Sequence, residues 1–341
     1  MKKIFFAASM LVLISCGTNR DLSLKYASTI TAEELKTHLF IYASDEHEGR
    51  ETGSPGQKKA VEYLKKFYVK EGIASPLGGD NYFQEVPASF IRTFPRGRKL
   101  NDSENVLAFI KGSEKPNEIV VVSSHLDHIG MTQDGKINNG ADDDGSGTVA
   151  LLEIAQAFRQ AEKKGHGPKR SLLFLHVTGE ERGLIGSDYY AQNPVFPLEN
   201  TVTDLNIDMI GRVDPKHKEN TNYLYLVGSD KLSTELHDLS EAINKKYTNF
   251  EFDYLYNDEA HPSRIYYRSD HYNFAKHNIP VIFYFNGIHE DYHRPSDTPD
   301  KINYELLEKR TKLVFHTAWE VANRKDRIIV DKAVKKEEKS E

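Results

Sequence analysis

Two segments indicate the fold most directly: IVVVSSHLDHIG (119–130) and, after a short polar segment, KINNGADDDGSGTVALLEIAQAF (136–158). The apolar, β-branched run at 119–122 predicts a buried strand that ends near His125. The Gly-Ser-Gly turn after the three aspartates leads into a helix whose apolar side chains recur at helical spacing. The pattern predicts an α/β protein in which His125 and the aspartates lie where a strand end meets a helix start, the usual place for a site in an open sheet.

The three successive aspartates, Asp142, Asp143 and Asp144, allow two interpretations. An Asp before Gly-Ser-Gly is commonly a turn residue or a helix cap. Adjacent carboxylates also repel one another unless a positive group lies between them. Because oxygen and imidazole ligands together suit zinc, manganese or cobalt, the stretch favours a divalent metal without settling the question.

Three further strands, at 171–177, 202–207 and 280–285, are predicted to end close to polar residues. The polar residues that follow them are Glu180, Glu181, Asp208 and His293. Each of these is as typical of a solvated turn as of a site when it is considered alone. Strand ends at one edge of a sheet, however, bring such side chains together, which raises the odds of a shared function.

The remaining segments are less informative about function. Helices are predicted at 31–43, 60–71, 232–243 and 303–323, and strands at 105–110 and 223–227. Residues 80–104 are predicted to be irregular or a hairpin. Phe250, Phe252, Tyr254 and Tyr256 alternate with polar neighbours, which predicts a β-ribbon with one aromatic face, either packed on the core or facing a substrate pocket.

The N-terminus predicts an exported protein. Lys2 and Lys3 precede a short apolar run at 4–14, which is typical of a signal peptide. Leu13-Ile14-Ser15-Cys16 resembles the lipobox of bacterial lipoproteins, and Cys16 is the only cysteine in the chain. An ordinary signal peptide is the alternative. The prediction is lipidation of Cys16 and attachment to a bacterial membrane in the cell envelope.

These features divide the chain into four parts. We predict a signal peptide at 1–15, a lipidated Cys16 with a polar tether at 16–30, one domain at 31–328 and a charged, disordered tail at 329–341. Removal of Lys2 and Lys3 changes the formal net charge from −6 to −8. Such a mildly acidic surface without a basic patch predicts no nucleic-acid partner and membrane contact through the lipid anchor alone. The oligomeric state is not indicated.

Six motifs, taken in order, resemble those of the co-catalytic dizinc aminopeptidase family. They are HLDH (125–128), NNGADDDGSGTVALLE (138–153), VTGEERGLIGS (177–187), LNIDMIGR (205–212), RSDHYNFAKHNIPVIFYFNG (268–287) and DYHRPSDT (291–298), and the stretch EGRETGSPGQKKAVEYL (48–64) also looks familial. That family includes secreted bacterial leucine aminopeptidases and, more distantly, glutamate carboxypeptidase II. The resemblance implies a mixed, largely parallel central sheet with helices on both faces, in one domain.

The resemblance also implies a metal centre of two divalent ions per chain, expected to be Zn²⁺. His125 and Asp208 would hold one ion, and Glu181 and His293 the other. Asp143 would bridge the two. Three carboxylates and two neutral imidazoles give a ligand charge of about −3, which suits two divalent ions.

Four more residues receive roles from the resemblance. Glu180 would be the general base that takes a proton from the attacking water. Tyr292 would hydrogen-bond the developing oxyanion. Asp127 and Asp270 would support the ligands from outside, Asp127 by orienting the His125 imidazole. His128 and His271 lie inside motifs, and each is either a packing residue or another such support.

The predicted activity is hydrolysis of the N-terminal residue of peptide substrates. A glutaminyl cyclase shares this fold but works with one zinc and tends to carry a Glu-Asp acid pair with a nearby Trp, whereas this chain has Glu180-Glu181 and a single Trp319. A non-catalytic scaffold lipoprotein is the other alternative, although scaffold members lose ligands. If the aromatic ribbon, with Tyr266 and Tyr267, lines the first-residue pocket, Leu, Phe or Met is expected there.

Overall fold

The computed structural model describes residues 21–90, 101–258 and 260–332. Eight strands form one sheet: β1 (Phe83–Val86), β2 (Ser103–Ile110), β3 (Lys115–His125), β4 (Arg170–Val177), β5 (Thr201–Ile207), β6 (Tyr223–Val227), β7 (Glu251–Asp253) and β8 (Val281–Phe285). Their order across the sheet is β1-β2-β4-β3-β5-β8-β6-β7. The strands predicted from the sequence are therefore confirmed, and β1 is the partner that makes the 80–104 region a hairpin.

The centre of the sheet is parallel and its edges are not. Strands β4, β3, β5 and β8 run parallel to one another. Strands β1 and β2 are antiparallel to each other, β2 is antiparallel to β4, and β6 is antiparallel to β8. The expectation of a mixed, largely parallel sheet is confirmed.

Helices cover both faces of this sheet. They are α1 (Leu22–Ala27), α2 (Ala32–Tyr42), α3 (Pro55–Glu71), α4 (Gly147–Lys163), α5 (Ile185–Gln192), α6 (Thr234–Tyr247), α7 (His271–Ala275) and α8 (Tyr304–Asn323). One apolar cluster joins α1, α2, α3, α4, α6 and α8 to the sheet, and a second cluster joins α5 and α7 to its other face.

The apolar run at 119–122 within strand β3 is buried on both faces of the sheet. Val120 and Val122 belong to the first cluster, whereas Ile119 and Val121 belong to the second. Successive side chains of a strand point to opposite faces, and a central parallel strand is buried on both. The same burial fixes the position of His125 at the end of the strand.

Local signals set the helix ends as predicted. The Thr31 side chain accepts a hydrogen bond from the backbone N–H of Glu34 at 3.2 Å and so caps α2. Gly72 ends α3 in the left-handed conformation, at φ 72°.

The polar tether predicted at 16–30 is wrong for the part that the structure describes. Residues 22–27 form α1, in which Tyr26 and Ala27 are buried, and Ile30 is buried just after it. The ring of Tyr26 stacks on Trp319 of α8, with 5.7 Å between ring centroids. The apolar positions of this short helix are separated by polar residues, which hides them in the sequence.

The β-ribbon predicted from Phe250 to Tyr256 is also wrong. The segment contributes only β7, which pairs parallel with β6 at the sheet edge and has no antiparallel partner of its own among the described residues. Phe250 belongs to the first apolar cluster, and Phe252 and Tyr254 pack against it. The alternation therefore reflects an edge strand with one face on the core.

Several predictions lie outside the described residues. The signal peptide, Cys16 and residues 333–341 of the predicted tail are among them. The described part of the tail, residues 329–332, lies against α6, where Asp331 accepts a hydrogen bond from the backbone N–H of Thr234 at 2.9 Å. None of the described helices is both long and apolar enough to cross a membrane.

Candidate metal centre

The predicted ligands meet at the carboxyl edge of the parallel strands. His125 ends β3, Glu180 and Glu181 follow β4, Asp208 follows β5, His293 lies in the loop after β8, and Asp143 lies in the turn before α4. The sheet order places β4, β3, β5 and β8 side by side. The structure thus brings together residues that are up to 168 positions apart in the sequence.

The first group of donor atoms surrounds His125. Its Nε2 atom lies 3.2 Å from Asp143 Oδ1 and 3.6 Å from Asp208 Oδ1. All three residues are buried, and His125 is only 1% exposed.

The second group surrounds His293. Its Nε2 atom lies 3.1 Å from Asp143 Oδ2 and 3.0 Å from Glu181 Oε2. Asp143 therefore presents one carboxylate oxygen to each group, which is the arrangement that a bridging ligand requires.

The donor atoms suit metal ions because they lack other partners. His125 Nε2, Asp143 Oδ2, Glu181 Oε1 and His293 Nε2 are buried and make no hydrogen bond with any described residue. Buried polar atoms are nearly always hydrogen-bonded, so such a set calls for a further partner. The main-chain carbonyl of Asp127 lies 3.1 Å from His125 Nδ1. A carbonyl only accepts, so Nδ1 carries the proton and Nε2 offers its lone pair.

The electrostatics of the site favour positive charge. Burial lowers the pKa of His293, but Asp143 and Glu181 outweigh it and raise that pKa to about 10. A proton on His293 thus partly neutralises the charge of the two carboxylates, as a bound cation would. The donor set therefore fits divalent ions in charge as well as in ligand type.

Asp144 lies close to the first group but is already saturated. Its Oδ2 atom accepts the backbone N–H of His125 at 3.1 Å, and its Oδ1 atom accepts those of Gly147 and Met209 at 3.0 and 3.1 Å. A carboxylate with three N–H donors has little left to offer a metal. The geometry therefore favours Asp143 over Asp144 as the ligand.

Asp297 was not singled out from the sequence, although it lies in the motif DYHRPSDT. Its carboxylate accepts the backbone N–H groups of Asp142 and Asp143 at 3.0 and 3.2 Å. The side chain of Asp142 in turn lies 3.1 Å from His289 Nε2. These contacts fix the turn that carries Asp143. The position of Asp297 within the motif DYHRPSDT was the one sequence signal that could have identified it.

Asp127 supports the site differently from the expectation. Its Oδ1 atom is 3.8 Å from His125 Nδ1, beyond hydrogen-bond distance. Instead that oxygen accepts the backbone N–H of Glu180 at 3.1 Å, and Oδ2 accepts the hydroxyl of Thr52 at 2.7 Å. The side chain of Asp127 therefore links the loop after β3 to the turn that carries Glu180.

The side chain of Asp270 accepts its hydrogen bond from Ser187 rather than from a predicted metal ligand. Its Oδ1 atom accepts the hydroxyl of Ser187 at 2.5 Å, and burial raises its pKa to about 7. The neighbouring Ser269, which the sequence did not single out, donates to Asp208 Oδ2 at 2.7 Å. The hydrogen bond that orients Asp208 thus comes from Ser269 and not from the predicted Asp270.

A cleft opens beside the two groups. It is lined by Asp143, Glu180, Asp208, Met209, Ile265, Arg268, Phe283, Phe285, Ile288 and Tyr292. Burial, followed by the charges of Asp143 and Glu181, raises the pKa of the Tyr292 hydroxyl, which therefore remains protonated at neutral pH.

The apolar lining comes from other residues than those expected. Of the described residues, neither 250–256 nor Tyr266 and Tyr267 line this cleft. Instead the apolar lining includes Phe283 and Phe285, which lie two positions apart on β8 and so share one face of the strand, and Met209, which directly follows Asp208. Proximity in sequence to a ligand was the signal that could have found them.

Two imidazole–carboxylate groups that share one aspartate, with a further glutamate beside them, are typical of two-metal hydrolases. A family model described as peptidase family M28 matches residues 105–318. The chain belongs to that family.

Curated relatives extend the comparison. The chain is 29% identical over 225 residues to a probable leucine aminopeptidase of Arthroderma otae, covering 64% of this chain and 57% of the relative. It is 27% identical over 318 residues to leupeptin-inactivating enzyme 1 of Streptomyces exfoliatus, covering 85% and 62%. The chain thus spans less than two thirds of the length of these relatives.

Solved structures share the fold. The aminopeptidase from Aneurinibacillus sp. strain AM-1 superposes with a TM-score of 0.65 at 18% identity, covering 91% of this chain and 98% of that one.

The single Trp319 of the present chain packs between Tyr26 and Phe158 in the core, with ring centroids 5.7 and 5.5 Å away. It is thus not part of the lining of the cleft.

Proposed function

We propose that this chain is a metal-dependent aminopeptidase that removes the first residue of peptides. The observation that carries the proposal is the position of Asp143, which offers one oxygen to each donor group within the cleft that Glu180 also lines. Family membership and relatives named as aminopeptidases support the same activity.

The proposed ligands account for two divalent ions per chain, with Zn²⁺ favoured by the mixture of imidazole and carboxylate. His125 and Asp208 would hold one ion, Glu181 and His293 the other, and Asp143 would bridge them. Bound there, two such ions would lower the pKa of a shared water and polarise the scissile carbonyl.

Glu180 is the proposed general base. Burial, together with the charges of Glu181 and Asp208, raises the pKa of its carboxyl group, which makes the carboxylate a better proton acceptor. It would take the proton of the attacking water and pass it to the leaving amine. The hydrogen bond from its backbone N–H to Asp127 holds it in place for both transfers.

Tyr292 is the proposed donor to the developing oxyanion. Its ring stacks on the adjacent His293, with 3.8 Å between centroids, so its direction is fixed by a proposed ligand. A neutral phenol beside the reacting carbonyl can stabilise negative charge as it forms.

The peptide's free amine is proposed to bind in the cleft near Glu180, the acidic residue of the lining that is not a proposed metal ligand. The apolar part of the lining would then receive the first side chain.

Two measurements on one preparation test the proposal. Protein purified without chelator should contain two metal ions per chain by mass spectrometry, and a peptide with a free N-terminus should be cleaved while its N-acetylated twin is not. Equal rates for the twins would refute an aminopeptidase. One ion per chain would favour the single-zinc cyclase alternative, and no ion would favour the scaffold.

We also propose that the protein is exported and anchored through Cys16. The support is the lipobox-like run before the chain's single cysteine. Helix α1 begins at Leu22, so that five residues, 17–21, lie between the proposed lipid and this helix. This proposal is independent of the activity.

A further inference from the structure

His128 is held rigidly beside the second donor group. Its backbone N–H donates to the carbonyl of Arg50 at 3.2 Å, and its side chain is fully buried. The ring lies against Gly140, where an added Cβ atom would come within 2.5 Å of His128 Cγ. Gly140 therefore leaves room for this ring, and the ring has little freedom to turn away.

The nitrogen atoms of this ring lack ordinary partners. Nδ1 lies 2.8 Å from Glu181 Oε1 and 3.7 Å from Asp143 Oδ2. Although the distance to Glu181 is short, the two atoms are not joined by a hydrogen bond. Both ring nitrogens and Glu181 Oε1 lack hydrogen bonds within the described part of the chain. Burying such groups unpaired is costly, so the arrangement points to a ligand that both atoms share.

The distances between these atoms are within about 0.5 Å of those expected around a shared zinc ion. Donors around a tetrahedral zinc at about 2.0–2.2 Å lie roughly 3.3–3.6 Å from one another. His128 Nδ1 and His293 Nε2 approach the same carboxylates, at distances from 2.8 to 3.7 Å. Their ring centroids are 5.7 Å apart and their planes are inclined at 69°, so the two imidazoles do not stack on each other.

We propose that His128 is a metal ligand, the second imidazole of the group formed by Asp143, Glu181 and His293. This inference rests on the proposed metal centre. It implies that the two donor groups supply different numbers of ligands. The group around His128 then has four protein donors, whereas the group of His125, Asp143 and Asp208 has three. A four-donor set closes a zinc site, and a three-donor set leaves a position open for water or substrate. The His128 group is therefore expected to bind its ion more tightly.

The competing role for His128 is to orient Glu181 by hydrogen bonding, and the variants separate the two. His128→Asn keeps an N–H donor but loses the imidazole ligand. His128→Asp replaces the imidazole with a carboxylate, which can bind zinc. His316→Asn is the matched control, because His316 is also buried, at 3% exposed, but lies on α8 against Ser23 and Tyr247.

The first readout counts the imidazoles bound to metal. The full-length chain, labelled with ¹⁵N at histidine and loaded with ¹¹³Cd²⁺ alone, should show ¹¹³Cd–¹⁵N splitting on three imidazole nitrogens. The signal that disappears in His128→Asn would be one of the three, and His316→Asn would retain all of them. Two split signals in the parent protein, with two ions bound, would overturn this inference and leave the proposed function intact. Failure to bind any metal would overturn both.

The second readout is Zn²⁺ affinity in competition with a chelator. The tighter of the two sites should weaken by more than about 100-fold in His128→Asn, beyond the 10- to 100-fold usual for a residue that only orients a ligand. Partial recovery of that affinity in His128→Asp supports ligation. Parent-like affinity in His128→Asn contradicts it.

Discussion

The carboxylate of Asp127 accepts a hydrogen bond from the backbone N–H of Glu180, at 3.1 Å, instead of one from the ring of His125. The ring of His125 is oriented by the main-chain carbonyl of the same residue. Asp127 therefore contacts both residues: its backbone carbonyl orients the proposed ligand His125, and its side chain holds the proposed base Glu180.

Asp127→Ala should lower turnover by about 10- to 100-fold while both metal ions remain, because Glu180 loses its support but the carbonyl that orients His125 is retained. Steady-state kinetics with metal analysis of the same sample measure both quantities. Thr52→Val, which removes only the hydroxyl that donates to Asp127 Oδ2, should have a smaller effect. Metal loss in Asp127→Ala would contradict this division of roles.

Glu180→Gln should retain both ions and lose about 100- to 10,000-fold in turnover, since an amide cannot accept the proton of the attacking water. Asp143→Ala should instead lose metal, because one carboxylate serves both donor groups. Metal content and peptide cleavage, measured side by side, distinguish the two variants. Near-parent activity in Glu180→Gln would assign the base elsewhere.

Glu153 on α4 carries a buried carboxyl group whose oxygens make no hydrogen bond with described residues. His38 Nε2 lies 3.5 Å from its Oε1, but burial lowers the pKa of His38 to about 4. Burial, together with the charges of Glu34 and Glu71, raises the pKa of Glu153 from 4.5 to about 8. Both groups are therefore neutral at pH 7.

Because the folded-state pKa of Glu153 is the higher one, the folded protein holds one more proton than the unfolded chain between pH 4.5 and 8. This contribution to the free energy of unfolding is fully present below pH 4.5, decreases by up to about 1.4 kcal/mol per pH unit as pH rises, and is gone above pH 8. Glu153→Gln cannot ionise. Its stability relative to the parent should therefore rise with pH across this window. Urea unfolding at intervals of one pH unit checks this, and parallel curves would refute it.

The parts of the fold that followed from the sequence are those with a local cause. Continuous apolar runs such as 119–122 gave the inner strands, and Thr31 and Gly72 marked helix ends. Edge segments were predicted less well, because β7 is specified by its neighbour β6 and not by its own residues. Helix α1 depends in the same way on Trp319, almost 300 positions away.

In the candidate site, too, the features with a local cause in the sequence could be predicted, and those that depend on distant residues could not. Five of the site's six principal residues lie at or after strand ends, and Asp143 lies in the turn before α4, so the motif order was enough to group them. The contacts of Asp297, Ser269 and Thr52 involve backbone groups or distant side chains, whose pairing no periodicity in the sequence reveals. For His128 the sequence predicts only a packing or supporting role, because a second imidazole three positions after His125 does not indicate which group it faces.

Lipidation of Cys16 can be tested without reference to activity. Cells that express the parent protein should incorporate a fatty-acid analogue into it, whereas Cys16→Ser should not be labelled and should be released from the membrane. The reason is that the thiol is the acylated atom and the chain offers no other cysteine. Equal labelling of the two proteins would refute the anchor.

The preference for the first substrate residue follows from the lining of the cleft. Phe283, Phe285 and Ile288 supply apolar surface beside the proposed metal ligands. Burying a larger apolar side chain removes more surface from water, so Leu, Phe and Met should be preferred over Ala. A peptide panel that varies only the first residue measures this preference as ratios of kcat/KM. Preference for Gly, Ala or charged residues would refute an apolar pocket.

Ile288→Ala tests which surface creates that preference. Ile288 is 36% exposed, so its truncation should cost little stability, yet it lines the cleft. The kcat/KM ratio for Leu over Ala substrates should fall by roughly 4-fold for each substrate methylene that the shortened side chain no longer covers, at about 0.8 kcal/mol each. Phe252→Ala is the control, because Phe252 packs against the core from β7. It should lower thermal stability and leave the substrate ratio unchanged. A shift in that ratio in Phe252→Ala, with none in Ile288→Ala, would return the pocket to the aromatic segment at 250–256.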